Sequence, residues 1–324
     1  MSNPGTSSTR SERAVAVTGA AGMIGSHLVD RLLDLGRTVI GIDNLSTGQI
    51  DNLRSALVHD SFTFVEGDIT DAASFSGLGD FGEVYHLASP ASPADFETMP
   101  LAILRAGSIG TMNVADEALS RGARLVVSST SEVYGDPEVH PQHESYLGNV
   151  HTTGPRSCYD EAKRFSEAVI ATHARHDGLD GAIARIFNTY GPRMRVNDGR
   201  VVPCFVVQAL AGAPLTVQGD GSQTRSFCHV DDQVRGLLAL MASGELGPIN
   251  IGNPDERSVL NLARIIIQLT DSRFTIEYRP LPQDDPVQRC PDILLAEQRL
   301  GWHPSIGLRE GLGTVVEYFR RMVI

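Results

Sequence analysis

Tyr159 and Lys163 stand four residues apart in a stretch whose Ala, Glu, Lys and Ile spacing predicts a helix over residues 159–176. At that spacing the two side chains share one helix face. An ammonium group near a phenol favours the phenolate and lowers its pKa. A tyrosine tuned in this way takes a proton from a sugar hydroxyl while an oxidised nicotinamide accepts hydride from the same carbon. The pair occurs by chance in many helices, so its weight comes from its surroundings. A hydroxyl-rich segment, residues 128–131, precedes it at the end of an apolar run.

Such chemistry needs a hydride carrier, and residues 14–25, AVAVTGAAGMIG, are suited to hold one. A β-branched strand over residues 14–18 leads into a turn with Gly19, Gly22 and Gly25, and then into an amphipathic helix over residues 23–35. Glycine at these points lets the chain turn sharply and approach a pyrophosphate, whose charge meets the free N–H groups at the helix start, by Met23 and Ile24. A second strand, residues 38–42, ends in Asp43, on the order of twenty residues beyond the turn, where a carboxylate accepts hydrogen bonds from the adenosine ribose. No arginine adjoins Asp43 to receive a 2′-phosphate, so the expected cofactor is NAD and not NADP.

The elements around these residues alternate. Further strands are predicted at residues 62–65, 83–87, 124–128 and 182–187, with a helix over residues 101–121. Alternation of this kind predicts an α/β fold, a Rossmann-like doubly wound parallel sheet covered by helices on both faces. Ligands in such sheets bind beyond the carboxyl ends of the strands. The segments there supply the expected dinucleotide contacts: Asn44, Ser46, Thr47 and Gly48 after Asp43, then Asp68 and Ile69, then Leu87, Ala88 and Ser89. Residues 14–188 form the expected NAD-binding domain. Residues 189–324, richer in proline and glycine breaks, form mainly a smaller substrate lobe, with one return to the sheet at about residues 228–252. Residues 280–291 read as a loop, and residues 1–13, rich in Ser, Thr and charge, as a disordered lead-in.

Composition narrows the partners. The 324 residues carry a net charge of −12, which repels phosphate backbones, so nucleic acid is not an expected partner. No stretch is apolar for long enough to span a membrane. The four cysteines show neither metal-ligand spacing nor a disulfide framework, and no metal is expected. Reduced thiols point to the cytoplasm. Cys158 reads as a packed thiol, His140, His143 and His151 as polar loop groups, and Trp302 as an anchor of the C-terminal lobe.

Several longer motifs carry a resemblance. They are HLASPASP (86–93), STSEVYGDPEVHPQ (129–142), GPRSCYDEAKR (154–164), ARIFNTYGPRM (184–194), NDGRVV (197–202), GDGSQTRSF (219–227), NIGNP (250–254) and DDPVQRCPDI (284–293). From about residue 14 to the end, the chain resembles the extended short-chain dehydrogenases/reductases that act on nucleotide sugars, and among them the UDP-glucuronate decarboxylase (UDP-xylose synthase) family. The resemblance implies UDP-glucuronic acid as substrate, oxidation at C4, loss of carbon dioxide from the 4-keto acid and return of hydride to C4. It assigns catalytic roles to Tyr159, Lys163, Thr130, Ser131, Glu132 and Arg289. Thr130 would hydrogen-bond the C4 oxygen, Ser131 and Glu132 would lie by the carboxylate and C5, and Arg289 would orient the sugar. Asn188, Arg200, Val202, Gln223 and Arg225, with Arg289, are the implied substrate contacts, and Arg105 stands where the family usually has a lysine near the sugar. The resemblance also implies a homodimer that pairs the helices around residues 101–121 and 159–176.

Related reactions differ at the same place. Sugar-nucleotide 4,6-dehydratases carry Asp-Glu after the threonine, where this chain has Ser131–Glu132. A 4-epimerase has no need of a carboxylate-binding arginine. Both enzymes, and a catalytically silent NAD-sensing protein, stand as alternatives. Departures from the family pattern fall at Leu147, at residues 151–153, at Pro203–Cys204 and at Gln218. The last two sites bear on which base, uracil or thymine, is held.

Overall fold

The structure, a computed structural model, describes residues 10–273, 275–280 and 288–323. The leading apolar runs become strands β1 (Ala14–Thr18), β2 (Val39–Asp43), β3 (Phe62–Glu66), β4 (Phe81–His86), β5 (Arg124–Thr130) and β6 (Gly181–Ile186). Short strands follow at β7 (Thr189–Tyr190), β8 (Leu215–Gln218), β9 (Thr224–Ser226) and β10 (Cys228–His229). Then come β11 (Ile249–Ile251), β12 (Glu256–Ser258), β13 (Ile276–Arg279) and β14 (Gln288–Arg289). Seven of them make one sheet in the order β11-β6-β5-β4-β1-β2-β3, and its pairings are all parallel. All of β5 and β2 is buried, as a sheet covered on both faces requires. This is the Rossmann-like order, and its chain reversal at β1 and β4 opens the crevice where ligands bind.

The helices are α1 (Met23–Asp34), α2 (Pro93–Thr98), α3 (Pro100–Arg105), α4 (Thr111–Ser120), α5 (Ser157–His176), α6 (Val201–Leu210), α7 (Val230–Ala242), α8 (Val259–Thr270), α9 (Leu294–Leu300) and α10 (Leu308–Val323). α1 and α7 bury Leu28, Leu32, Val234 and Leu237 on one face of the sheet. α4 and α5 bury Val114, Ala118 and Ile170 on the other. A separate core of Phe205, Val217, Leu262, Ile266, Leu312 and Phe319 makes the smaller lobe. The return to the sheet runs through β10, α7 and β11. Trp302 ties the chain after α9 back to that return, donating from Nε1 to the Asp232 carbonyl (3.0 Å).

Two expectations are corrected. The lead-in is not disordered throughout: Arg10–Glu12 form a 3-10 turn. Arg13 donates to the Asp80 carboxylate (2.5 Å) and the Phe81 carbonyl (2.5 Å), and Arg10 pairs with Asp180 (2.5 Å). Polar composition hid this because the partners are distant in sequence. Residues 1–9 lie outside the described residues. Nor is residues 101–121 one regular helix. Pro100 opens α3, and residues Ala106–Gly110 widen into a π-helical turn before α4. Gly107 presses on α5 there, where an added Cβ would stand 2.7 Å from the Ala162 Cβ, and Gly110 presses on Ile69.

The glycine turn shows why its residues are glycine. Gly19 has φ +74°, and a Cβ on Gly25 would lie 2.1 Å from the Gly19 carbonyl oxygen. Gly25→Ala is therefore expected to lower unfolding free energy by about 1–3 kcal/mol and to weaken NAD binding. Denaturant unfolding and calorimetric titration with NAD check this, and unchanged values in both would contradict it.

Candidate active site

A cleft of about 580 Å³ lies between the carboxyl edge of the sheet and the smaller lobe. Gly19, Gly22, Met23, Ile24, Gly25, Thr47, Leu87 and Ser89 line one end of it. Gly22 is the N-cap of α1 with no side-chain hydrogen bond, so the first N–H groups of the helix face the cleft without a side-chain rival. That glycine-floored start fits the diphosphate of a dinucleotide. Asp43 is buried at the end of β2, and its oxygens accept from the N–H groups of Ala21 (2.9 Å) and Leu45 (2.8 Å). Those bonds fix the turn and the carboxylate together. Asn44 bridges onward, donating to Asp68 (2.9 Å) and accepting from the Ser46 N–H (3.1 Å). Gly48 packs close to the Asp43 oxygens. Ile69 is buried under α4, and Ala88 lies over Gly19. Asp43, Asn44, Ser46, Gly48, Asp68, Ile69 and Ala88 flank this end of the cleft without lining it, with Asn44 and Ser46 exposed.

Tyr159 and Lys163 project from α5 beside the end of β5. Lys163 is buried and donates from Nζ to the Ser128 carbonyl (2.8 Å), with Nζ 5.9 Å from the centre of the Tyr159 ring. Burial draws the ammonium down to about 8. Burial also pushes the Tyr159 phenol up to about 12, against the pull of its hydrogen bond with Thr130. In the protein by itself, desolvation therefore outweighs the lowering expected from the lysine. Phe96 stacks on Tyr159 with centroids 5.0 Å apart. Thr130 also accepts from the Glu132 N–H (3.2 Å), opening a 3-10 turn over Ser131–Tyr134. Behind it Ser129 donates to Glu167 (2.5 Å), which holds Arg185 through two 2.8 Å bonds.

The third part of the site is a charge cluster. β14 pairs with β9 and delivers Arg289, 1 % exposed, to the 3-10 turn. Its guanidinium donates to the Ser131 hydroxyl (3.2 Å) and the Gly135 carbonyl (2.9 Å) and pairs with Glu132 (3.1 Å). Arg156, which sequence reasoning did not single out, donates to the other Glu132 oxygen (2.8 Å). Burial pushes the Glu132 carboxyl up, but Arg289, Arg156 and Arg225 outweigh it and hold the group well below the usual carboxylate range. The one local signal for Arg156 was its position three residues before Tyr159, on the same side of the helix. The acidic part of the DDP-x-x-R segment, residues 284–287, lies outside the described residues.

The remaining expected contacts divide. Asn188, Arg200, Val202, Gln223 and Arg225 line the far half of the cleft. Arg200 is paired with Asp198 (2.5 Å), Gln223 donates to the Gln218 carbonyl (2.7 Å), and Arg225 donates to the Thr224 carbonyl (2.8 Å). Arg105 is corrected. It is exposed at the end of α3 and does not line the cleft. Ile103 is the buried position of that helix, and two residues on is more than half a turn away. Among the departures, Cys204 and Gln218 line the cleft, while Leu147 is exposed. Burial raises the Cys158 thiol, in keeping with a packed group. His140 lies 3.1 Å from Glu256, and these two with Cys290 bring three ligand-type atoms within 4.8 Å on the outer side of Arg289. Spacing in the sequence could not reveal that grouping.

A glycine-floored dinucleotide end, a Tyr–Lys–Thr set and a nucleotide-sized basic far half define an NAD-dependent enzyme of nucleotide sugars. Residues 15–252 match the NAD dependent epimerase/dehydratase family, and the chain belongs to it. More particularly, the chain is 45% identical over 314 residues to UDP-glucuronic acid decarboxylase 1 of Danio rerio, covering 97% of this chain and 74% of that one. It is 48% identical over 312 residues to UDP-glucuronic acid decarboxylase 6 of Arabidopsis thaliana, covering 96% and 90%. Among solved structures it is similar to UDP-glucuronic acid 4-epimerase of Bacillus cereus in complex with UDP-glucuronic acid and NAD. That match has a TM-score of 0.86 and 28% identity and covers 95% of this chain and 99% of that one. Tyr159→Phe is expected to lower turnover about 10²–10⁴-fold with NAD affinity by calorimetry unchanged. Turnover within about twofold of wild type would remove Tyr159 from the proton role.

Proposed function

We propose that this chain converts UDP-glucuronic acid to UDP-xylose and carbon dioxide, with NAD recycled within each turnover. The observation that carries the reading is Arg289. Its buried guanidinium meets Ser131 and Glu132, and its Nε has no hydrogen-bond partner among the described residues. A guanidinium that lines the cleft beside Ser131 and Glu132 places a positive charge and its donors where a carboxylate would bind. The named relatives at 45% and 48% identity are decarboxylases of UDP-glucuronic acid.

The residues divide the work by position. NAD bound at the glycine end supplies reversible hydride acceptance at C4 of the sugar. Tyr159 takes the proton of the C4 hydroxyl through its phenolic oxygen, and Thr130 holds that oxygen in line. Lys163, fixed on the Ser128 carbonyl, supplies the positive charge that favours the phenolate. With C4 a ketone, the C5 carboxylate becomes a β-keto acid, and its C–C bond breaks with the electron pair passing to the enolate. Arg289 and Ser131 orient the carboxylate before that step, and Glu132 lies where C5 is to be protonated. Tyr159 then returns its proton to the C4 oxygen.

A 4-epimerase is the second reading, favoured by the likeness to the Bacillus cereus enzyme. The nucleotide sugar bound in that structure carries the same carboxylate, so Arg289 fits both readings, and the decarboxylase is preferred on the higher identity of its named relatives, 45% and 48% against 28%. Two assembly-level expectations belong to the same reading. A homodimer is supported by Leu101, Leu104, Ile109, Met112 and Phe165, which are exposed along α3, the π turn, α4 and α5, a cluster that isolated surface residues do not form. A reducing, cytoplasmic setting is supported by four free cysteines.

Incubation with UDP-glucuronic acid and catalytic NAD is expected to yield carbon dioxide and a UDP-pentose by mass spectrometry. A six-carbon uronate product would establish the epimerase instead. Arg289→Lys should lower carbon dioxide release about 10²–10³-fold; near-normal release would take the carboxylate away from Arg289. Sedimentation should find a dimer for the wild type and a monomer for Leu104→Glu/Phe165→Glu, and a monomeric wild type would overturn the dimer.

A further inference from the structure

Decarboxylation has a proton balance that the residues above do not meet. When the C5–C6 bond breaks, carbon dioxide leaves and its electron pair stays on the sugar. C5 must then gain a proton to become a pentose carbon, so one proton is consumed in each turnover. Tyr159 borrows the C4 hydroxyl proton and returns it, contributing none. Glu132 is ionised, held so by Arg289 and Arg156. It can pass a proton on but does not store one.

One further carboxyl group belongs to this cluster. Asp160 follows Tyr159 on α5 and is 7 % exposed, and its Oδ1 is fully buried without a hydrogen-bond partner among the described residues. Arg156 bonds Glu132 at 2.8 Å, and Asp160 stands one helical turn after Arg156, its N–H on the Arg156 carbonyl at 3.2 Å, so the Arg156 and Asp160 side chains lie on one face toward Glu132. A carboxylate with an orphaned buried oxygen is costly, whereas a neutral carboxylic acid there is not. The charged and titratable groups that act on it are Glu132 from the 3-10 turn, Arg156, Cys158, Tyr159 and Glu161 from α5 and the residue before it, and Arg289 from β14. Burial first, and then the Glu132 charge, push the Asp160 carboxyl up to about 7 against both arginines.

We propose that Asp160 holds the proton that Glu132 relays to C5 after carbon dioxide departs. This rests on the decarboxylase reading above. The Asp160 carboxyl gives its proton toward the Glu132 carboxylate, Glu132 delivers it to C5, and solvent reprotonates Asp160. One C–C bond breaks, one C–H bond forms, and one solvent proton enters. Asp160 does not touch the sugar; it acts through Glu132.

The sign of the pH dependence follows. Asp160 carries its proton below about 7 and loses it above, so carbon dioxide release in the wild type should fall by about tenfold per pH unit on the alkaline side. The test measures carbon dioxide release across pH, in H2O and in D2O, for the wild type, Asp160→Asn and Asp160→Glu, with NAD affinity and melting as folding controls. Asp160→Asn should be slower at pH 6 by about tenfold or more, lack the limb centred near 7 and show a larger solvent isotope effect. Asp160→Glu should regain a limb at a shifted pH. A folded Asp160→Asn enzyme with the wild-type limb and isotope effect would overturn the proposal. If that variant does not fold, a limb left unmoved by Asp160→Glu would overturn it. A wild-type protein that releases no carbon dioxide from UDP-glucuronic acid at any pH would instead overturn the functional reading beneath it.

Discussion

A guanidinium with 1 % exposure must be neutralised where it lies, and at Arg289 the neutralising group is Glu132. Removing Glu132 would leave the Arg289 charge stranded in a poorly solvated site, a loss of about 3–5 kcal/mol, whereas Glu132 without Arg289 would keep its bond to Arg156. The pair therefore does more than hold charge. It fastens β14, which pairs with β9 in the smaller lobe, onto the turn that ends β5 in the main sheet. The cleft between the two lobes has its shape because this contact closes one wall. The same contact fixes Ser131 and presents Glu132 at the place where the sugar's acid end would sit. Structure and chemistry here depend on one carboxylate, Glu132, shared between the guanidinium groups of Arg289 and Arg156.

Tyr159 stands on the other side of that wall under the opposite pressure. Burial among Phe96 and the α5 side chains raises its phenol, and Lys163 bonds to a backbone carbonyl at the end of β5. The lysine charge is thus held at fixed distance by the sheet. Its own pKa, drawn down to about 8 by burial, leaves it charged at neutral pH. A site arranged so spends little on reorganisation when a ligand enters, because Ser128, Ser129 and Thr130 are already pinned by bonds to α5 and β4.

What could be read beforehand was what is local. The glycine turn, the strand alternation and the Tyr159–Lys163 spacing are short-range patterns whose physics needs only neighbours. Arg289 came from resemblance, because no local rule says that an arginine 157 residues beyond Glu132 will be buried against it. The roles of Arg156 and Asp160, both inside the motif at 154–164, were not legible because they depend on Glu132, which is distant in sequence and folds against Arg156. Arg105 misled for a similar reason: correspondence in sequence says nothing of helix phase, and α3, opened by Pro100, turns Ile103 inward and Arg105 out. The anchoring of residues 10–13 depended on Asp80 and Asp180, both far along the chain.

The claim on which all of this turns is that hydride leaves C4 and comes back to the same carbon within one closed cleft. Its most direct measurement uses UDP-glucuronic acid bearing deuterium at C4, with unlabelled NAD in catalytic amount. Full retention of the label at C4 of the pentose product is the result predicted. Label lost to water, or shared with the free dinucleotide pool, would contradict a hydride that never leaves the site.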